Sequence, residues 1–404
     1  MNKLMLLTFI LEIVKRFTSL TLHFAPTTMK YTYRYFTLIL TFMVIMPMGW
    51  SQDKQTATLL FMGDIMGHDT QINSARVDST GGYDYLSCFK YIDKQIKAAD
   101  LAIANLEVTL AGPPHKGYPQ FSSPDELADA LQLAGVDVLV TSNNHCVDRH
   151  RKGLERTASL LDKKGIPRTG TFINTADKAQ NSPLKFEING IRLALLNYTY
   201  GTNGIHVESP NIVHLIDTAQ IAKDIAIANE FNPDQLIVFV HWGLEYQTAP
   251  NSSQKRLYRF LRDKGVQLII GSHPHVVQPI EWHQNDTTNH LVVYSMGNFI
   301  SNQRTPPRDG GAMVSVELTK ANNKTAISNA GHILTWVYTP KEHGKKRFYV
   351  LPVSQYENAK VFPSSSARKR MKAYAKEARE VFKHNINVEE ITSNREQGTV
   401  SSEQ

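Results

Sequence analysis

Residues of the types that bind metal ions follow five separate apolar runs in this sequence. In chain order they are Asp64, Asn105 with Glu107, Asn143-Asn144-His145, His241, and His273-Pro274-His275. Because the carboxyl ends of neighbouring strands meet at one edge of an open α/β sheet, we expect these side chains to lie close together. Imidazole, carboxylate and amide ligands without a cysteine set exclude a zinc ribbon. They are typical of a centre that binds zinc, manganese or iron.

The segment after the fifth run is the most specific of these signals. A glycine permits a tight turn and Pro274 stiffens the loop, so that His273 and His275 can face one point. The other residues also have structural interpretations, Asp64 as a turn or cap residue and His241 as a hydrogen-bonded core histidine. Their shared position at strand ends favours the metal site.

Short apolar runs alternate with amphipathic stretches from residue 57 onward. This alternation predicts an α/β domain in which buried, mostly parallel strands are joined by helices. The clearest strand predictions are 58–62, 101–104, 136–141, 192–197, 236–240, 267–270 and 291–294. The clearest helix predictions are 124–134, 153–164 and 252–264.

The sequence after residue 312 changes to strands and turns. The runs 313–318, 331–338 and 348–352 predict either a second β layer or a hairpin that closes the same domain. Residues 366–384 predict a charged amphipathic helix, and the last dozen residues a polar, disordered tail. The predicted division is therefore a targeting segment at 1–51, one domain at 57–355, and a helix with a tail at 356–404.

The composition is that of an ordinary globular protein. The chain has 404 residues, of which 42% are hydrophobic and 20% charged, with a formal net charge of +7. No basic stripe interleaved with aromatic residues marks a nucleic-acid surface, so no nucleic-acid partner is expected. Cys88 and Cys146 are the only cysteines, and we expect them to be buried free thiols.

The N-terminal region has the pattern of a targeting segment. Lys30 and Arg34 precede the apolar run 36–46, and Gly49 and Ser51 then supply small residues at a signal-peptidase spacing. The run is shorter than the roughly 20 residues that span a bilayer. It predicts a cleaved signal peptide with Met29 as the true start, and an uncleaved membrane anchor is the alternative. The mature protein would then lie in the periplasm or outside the cell.

Six motifs in a fixed order resemble the CapA family, which is named for a poly-γ-glutamate capsule synthesis protein. They are Gly63-Asp64-Ile65-Met66, Ala104-Asn105-Leu106-Glu107, Ser142-Asn143-Asn144-His145, His241-Trp242-Gly243-Leu244-Glu245-Tyr246, Gly271-Ser272-His273-Pro274-His275 and Tyr294-Ser295-Met296-Gly297-Asn298-Phe299. The resemblance covers about residues 57–355. It implies the metallophosphoesterase superfamily and a four-layer α/β/β/α sandwich.

The resemblance also implies a role for each residue. Asp64 and His275 would bind one metal, Glu107 would bridge two, and the second would be bound by Asn144, His241 and His273. His145 would act as general acid or would stabilise charge beside the substrate, and Glu245 and Tyr246 would line the substrate pocket. The sequence departs from the superfamily at Met66, which occupies a position usually held by histidine, so that His68 would have to replace that ligand. One or two divalent ions are therefore expected.

Three hypotheses for function follow. The first is a metal-dependent hydrolase or transferase that acts on an anionic envelope polymer of poly-γ-glutamate type, together with other envelope biosynthesis proteins. The second is a periplasmic metallophosphoesterase that acts on small phosphate compounds. The third is a non-catalytic component of polymer assembly or export whose metal site binds the anionic chain.

We predict that the protein is exported and cleaved between Ser51 and Gln52. The reason is the short apolar run that ends in small residues, which signal peptidase recognises. N-terminal sequencing of native protein should begin near Gln52. Recovery of an intact Lys30 segment would instead indicate an anchored form.

Overall fold

The structure is a computed structural model that describes residues 54–285 and 289–392. The predicted targeting segment at 1–51, the predicted start at Met29 and the polar tail lie outside the described residues. In the described part of the chain, no helix is both long enough and apolar enough to cross a bilayer.

The described residues form a series of strands that alternates with helices up to residue 300. The strands are β1 Gln55–Ile65, β2 Leu101–Leu106, β3 Val138–Val140, β4 Arg168–Thr169, β5 Thr171–Phe172, β6 Leu184–Ile188, β7 Ile191–Thr199, β8 Ile212–Val213, β9 Gln235–His241, β10 Leu268–Ser272, β11 Ile280–Gln284, β12 Asn289–Val293, β13 Asn298–Ile300, β14 Gly310–Ala321, β15 Lys324–Tyr338, β16 Lys341–Glu342, β17 Lys345–Lys346, β18 Tyr349–Pro352 and β19 Glu389–Glu390. The helices are α1 Asp69–Ala75, α2 Asp93–Lys97, α3 Glu126–Ala134, α4 His150–Lys163, α5 Thr175–Asn181, α6 Thr218–Glu230, α7 Ser252–Asp263, α8 Val353–Tyr356 and α9 Ser365–Phe382.

Two large sheets contain most of these strands. The first sheet has nine strands, with the order β18-β15-β14-β1-β2-β3-β4 and with β13 and β19 paired to β1 and β15. The second sheet has six strands in the order β11-β12-β10-β9-β7-β6. In both sheets the central strands are parallel, as the alternation of strands and helices predicts.

Alternating side chains place the two sheets face to face. Leu59 and Phe61 of β1 share one buried cluster with Ile237 and Phe239 of β9, so this cluster fills the space between the sheets. Side chains on the opposite face of the first sheet pack with α3, and those on the opposite face of the second sheet pack with α6 and α7. The layers are therefore helix, sheet, sheet and helix, which confirms the predicted α/β/β/α sandwich.

The strands after residue 312 form a hairpin in the first sheet and not a second β layer. β14 pairs antiparallel with both β1 and β15, and β18 extends the same edge. The second layer comes instead from β6, β7 and β9 to β12. The C-terminal helix α9 then packs Met371 and Tyr374 into the cluster between the sheets, so it is part of the core. Cys88 and Cys146 are free and buried, as expected.

Arg168 fixes two helices to the edge of the first sheet. Its guanidinium is fully buried and lies 2.8 Å from carboxylate oxygens of Asp162 on α4 and of Asp177 on α5. It also donates to the backbone carbonyl of Thr171. Removal of one partner from a buried, hydrogen-bonded charge cluster leaves the remaining charges uncompensated.

We predict that Arg168→Ala lowers the free energy of unfolding by about 3–5 kcal/mol, because Asp177 would lose its buried cation. Urea denaturation followed by circular dichroism measures this change. Arg151→Ala is the matched control, since Arg151 forms an exposed pair with Glu155 on α4. We expect that control to cost less than about 1 kcal/mol, and an equal loss in both variants would contradict the role given to Arg168.

Candidate metal centre

The carboxyl ends of the central strands of both sheets meet at one place. Asp64 lies near the end of β1, Asn105 near the end of β2, and His241 and Ser272 end β9 and β10. Asn105 Nδ2 lies 2.9 Å from Asp64 Oδ1 and 3.3 Å from His241 Nδ1, so its amide joins the two sheets. Each of these four strands extends beyond its predicted end, so these site residues belong to the strands. The backbone hydrogen bonds of the sheets therefore hold them in place.

Two local features allow this close approach. A Cβ atom at Gly63 would lie 2.0 Å from the carbonyl oxygen of Gly297, so only glycine lets the segment before β13 come this near to β1. That contact brings the Asp64 amide to 3.0 Å from the same oxygen. After β10, His273 and His275 adopt positive φ angles of 102° and 57°. Such strained backbone is frequent at functional sites.

Two groups of metal-binding side chains share Glu107. One group contains Asp64, Glu107 and His275, and the other contains Glu107, His241 and His273; within each group the ligand atoms lie within 4.8 Å of one another. Glu107 Oε1 is 3.4 Å from His241 Nε2 and 3.8 Å from His275 Nε2. The carboxylate of Glu107 is therefore placed between two potential ion positions.

The surroundings of Glu107 fit a cation. Its side chain is fully buried, and neither carboxylate oxygen has a hydrogen-bond partner. Burial and the neighbouring charge of Asp64 raise the pKa of Glu107 well above its ordinary value. Because an unpaired buried carboxylate is costly, this environment is compatible with a divalent cation that compensates its charge. The residues of the two groups are those that would hold it.

The histidines are in the state that a metal ion requires. Burial, followed by the charges of the neighbouring histidines, lowers the pKa of His241 well below its ordinary value. Burial and His275 lower the pKa of His273 to about 3. Both rings are therefore neutral at neutral pH, and neutral imidazole is the form that binds metal ions.

Asn144 lies with the second group. Its Oδ1 is 2.9 Å from His241 Nε2, which places an amide oxygen beside the ligand atoms of that group. The other nitrogen of His241 lies 3.1 Å from Ser272 Oγ, and this contact orients the ring. Sequence reasoning missed Ser272 and the role of Asn105. Asn105 was recognisable because it stands two positions before Glu107, and alternate residues of a strand share a face.

His145 forms a buried pair with an acid that sequence reasoning missed. Its Nδ1 lies 2.8 Å from Asp148 Oδ2, and that oxygen also accepts a hydrogen bond from the Phe121 amide. The His145 ring packs edge-on against Phe121, with ring centres 4.7 Å apart. Because Asp148 holds Nδ1, Nε2 is the nitrogen left to transfer a proton. The spacing of three residues in one turn was the available signal for Asp148.

The structure does not bring His68 into either group. Its Nδ1 lies 3.0 Å from Gln71 Oε1 and 3.4 Å from the Asn302 amide, and its ring packs edge-on against Phe121. Met66 is buried in the core beneath the first sheet. The ligand role of His68 stays a prediction, and its contacts place it at the border of the centre beside Phe121.

Glu245 and Tyr246 lie on the exposed rim of the centre. The ring of Tyr246 lies 6.2 Å from that of His275, and the Arg308 guanidinium lies 4.2 Å from its centre. On the other side, the ring of Tyr200 lies 4.5 Å from that of His273. Aromatic side chains therefore lie next to two of the histidines, and the pocket role of Glu245 and Tyr246 stays a prediction.

Comparison with known families gives a match over most of this domain. The family described as bacterial capsule synthesis protein PGA_cap matches residues 58–303. The chain belongs to this family. The matched PGA_cap segment begins in β1 and ends just after β13, so it contains every predicted metal ligand.

Three relatives have names that refer to PGA, capsule or polyglutamine synthesis. The chain is 28% identical over 289 residues to the PGA biosynthesis protein CapA of Bacillus subtilis (strain 168), with 67% of this chain and 70% of that protein covered. It is 27% identical to the capsule biosynthesis protein CapA of Bacillus anthracis, with 68% and 67% covered. A probable polyglutamine synthesis accessory protein of Mycobacterium tuberculosis is 24% identical, with 50% and 56% covered.

Two solved structures match this chain with low TM-scores. NAD nucleotidase of Haemophilus influenzae matches with a TM-score of 0.45 and 11% identity, covering 85% of this chain and 66% of that one. A calcineurin-like phosphoesterase from Bacillus subtilis matches with a TM-score of 0.40 and 11% identity, covering 81% and 98%. The fold of this PGA_cap protein is defined by its own two sheets and the helices that pack on their outer faces.

We predict that Glu107→Gln abolishes the rise in melting temperature that manganese or zinc gives the wild type. The reason is that the amide cannot supply the charge shared by both groups. After chelation the variant should melt at the same temperature as the chelated wild type or higher, because Gln carries no charge beside Asp64. Thermal unfolding with and without chelator measures both effects.

The matched control for this experiment is Glu377→Gln, which changes an exposed glutamate on α9. It should keep the full metal-dependent shift. A Glu107→Gln protein that also keeps the shift would show that the bound metal does not depend on Glu107.

Proposed function

We propose that this protein is a divalent-metal-dependent hydrolase or transferase that acts on an anionic envelope polymer of poly-γ-glutamate type. The observation that carries the proposal is the buried, unpaired carboxylate of Glu107 between the Asp64–His275 and His241–His273 groups. Membership of the PGA_cap family supports the polymer, since the relatives in Bacillus are named for PGA or capsule biosynthesis. Other envelope biosynthesis proteins are the expected partners.

The arrangement suits cleavage of an amide or ester bond. A divalent ion bound here would supply a hydroxide nucleophile and stabilise negative charge on the bond that is attacked. Glu107 and Asp64 supply the negative charge that holds such an ion, while Asn144 and the neutral histidines complete its surroundings. Asn105 and Ser272 keep the ring of His241 in place.

His145 is the group placed to transfer a proton to the leaving group. The Asp148 carboxylate fixes its ring through Nδ1, and Phe121 limits its movement from one face. The paired residues are almost fully buried, so the orientation of the ring is defined before substrate binds. Nε2 would protonate the departing nitrogen or oxygen as the bond breaks.

Turnover of the proposed substrate is the direct test. Purified mature protein, supplied with manganese, zinc or iron in turn, should release glutamate from poly-γ-glutamate, and elemental analysis should find one to two equivalents of a divalent ion. An aryl phosphate is assayed in parallel. Hydrolysis of the phosphate alone would reject the polymer substrate, and less than half an equivalent of metal after reconstitution would reject the metal centre.

We predict that His145→Ala keeps its metal but loses about 100- to 10,000-fold in turnover, which is the usual contribution of general acid catalysis. Glu107→Ala should lose metal and turnover together, because Glu107 belongs to both groups. Elemental analysis and glutamate release measure the two properties. Equal loss of metal in both variants would show that His145 is a ligand and not the proton donor.

Export remains part of the proposal. A capsule or envelope polymer lies outside the cytoplasm, so the predicted signal peptide at 1–51 agrees with the proposed substrate. The mature protein would then act in the periplasm or at the cell surface.

A further inference from the structure

Three cationic side chains lie together beside the metal centre and outnumber the acids around them. Arg304, Lys346 and Arg370, here called the cationic cluster, come from the segment after β13, from β17 and from α9. Among the described residues, the only carboxylate that pairs with them is Asp309, 3.8 Å from Arg304 and 3.7 Å from Arg370. The cluster therefore keeps a local excess of about two positive charges.

The contacts within the cluster leave hydrogen-bonding capacity unused. Arg304 donates to the backbone carbonyl of Val337, but its buried Nε has no partner. Asp309 Oδ2 accepts a hydrogen bond from Trp336 Nε1 at 2.9 Å, while the buried Asp309 Oδ1 has no hydrogen-bond partner. Lys346 Nζ donates to the neutral oxygen of Asn302 at 2.7 Å and lies 5.1 Å from the centre of the Phe348 ring.

The electrostatic consequence is mutual repulsion. Burial, followed by the charges of Arg304 and Arg370, lowers the pKa of Lys346. Burial also lowers the pKa of Arg304 to about 10, although Asp309 opposes this change. An anion bound between these side chains would remove the repulsion and supply the missing acceptor atoms.

The cluster adjoins the centre through a continuous series of contacts. Asn302, which accepts from Lys346, donates its backbone amide to His68 at 3.4 Å. The His68 ring packs against Phe121, and Phe121 packs against His145. Asn302, His68 and Phe121 therefore connect the cluster to His145, the proposed proton donor.

The other end of the same segment also reaches the centre. Arg308 lies over the ring of Tyr246, and its carbonyl accepts a hydrogen bond from Asn298. Asn298 is the partner of Asp64 in the pairing of β13 with β1, and it also donates to the carbonyl of His275. The segment 301–309 thus borders the metal centre at both ends and carries cations along its length.

We propose that the cationic cluster is a subsite that binds a carboxylate of a polyanionic chain while another residue of that chain lies at the metal centre. The proposal rests on the proposed function, because it takes poly-γ-glutamate as the polyanion. A buried centre can accept one residue of a polymer at a time, so the neighbouring residues must lie outside it. Arg370, with a side chain 53% exposed, is accessible to them.

The distribution of the cations favours a chain over a single small anion. Donors that hold one phosphate group converge on one point, as in the nests formed by backbone amides. Here the cluster converges on one point, but Arg308 lies apart from it, over the ring of Tyr246. A ligand with carboxylates at regular intervals can contact such separated cations together.

Binding of fluorescently labelled poly-γ-glutamate to chelator-treated protein tests the subsite. We expect Lys346→Gln combined with Arg370→Gln to weaken binding about tenfold or more, because each charge-assisted hydrogen bond contributes at least that order of affinity. Fluorescence anisotropy measures the dissociation constant, and the difference from wild type should shrink as salt is raised. Melting temperatures check that the variant is folded.

The matched control removes the same charge from the same two parts of the chain. Lys341→Gln changes exposed β16, the partner strand of β17, and Lys383→Gln changes a 67% exposed lysine just after α9. This double variant should bind within about twofold of wild type. Equal weakening of polymer binding in both double variants would show that only the net charge of the protein matters, which would contradict the subsite. Unchanged binding in both would also overturn it.

Two further arms separate the possible outcomes. In the first, inorganic phosphate binds only to protein with an intact cluster, and the polymer does not bind. That result would show that the cluster is a phosphate site and would overturn the proposal. Because metal is removed, the binding result does not depend on catalysis. Cluster-dependent polymer binding in a protein without hydrolytic activity would support the subsite and reject the hydrolase.

Discussion

The carboxylate of Glu107 is the constraint on which the rest of the structure depends. It is fully buried and has no hydrogen-bond partner, and Asp64 adds a second negative charge nearby. Such an arrangement is unfavourable in a folded protein unless a cation compensates it. The neutral rings of His241 and His273 cannot do so by hydrogen bonding alone, so the arrangement is compatible with a bound divalent ion between the two groups.

The two sheets make this arrangement possible because each contributes half of the centre. Parallel pairing of β1 with β2 places Asp64 beside Asn105, and parallel pairing of β9 with β10 places His241 beside Ser272. The Asn105 amide then contacts the His241 ring across the gap between the sheets. A shift of one residue in any of these strands would turn its site residue to the opposite face.

The sequence was sufficient for the strand ends but not for the contacts between them. Polar residues such as Glu107 and His241 interrupt apolar runs, and that local contrast is visible without a structure. The spacing of Asn105 to Glu107 marks Asn105 as a site residue, but its contact with His241 depends on the distance between two sheets, which no local pattern contains. The position of the hairpin β14–β15 was equally open, because an amphipathic strand can extend an existing sheet or begin another one.

The same limitation explains why the sequence alone does not reveal the cationic cluster. Arg370 belongs to the run Arg368-Lys369-Arg370, which has the composition of an ordinary solvated helix surface. Packing of α9 against the core brings one member of this run to 3.7 Å from the buried Asp309, where Arg304 is already present. The local excess of positive charge arises only when α9 is packed against the first sheet, because the three cations are far apart in the sequence. The cationic cluster is thus opposite in sign to the carboxylates of the centre, an arrangement that suits the metal ion and the anionic chain proposed above.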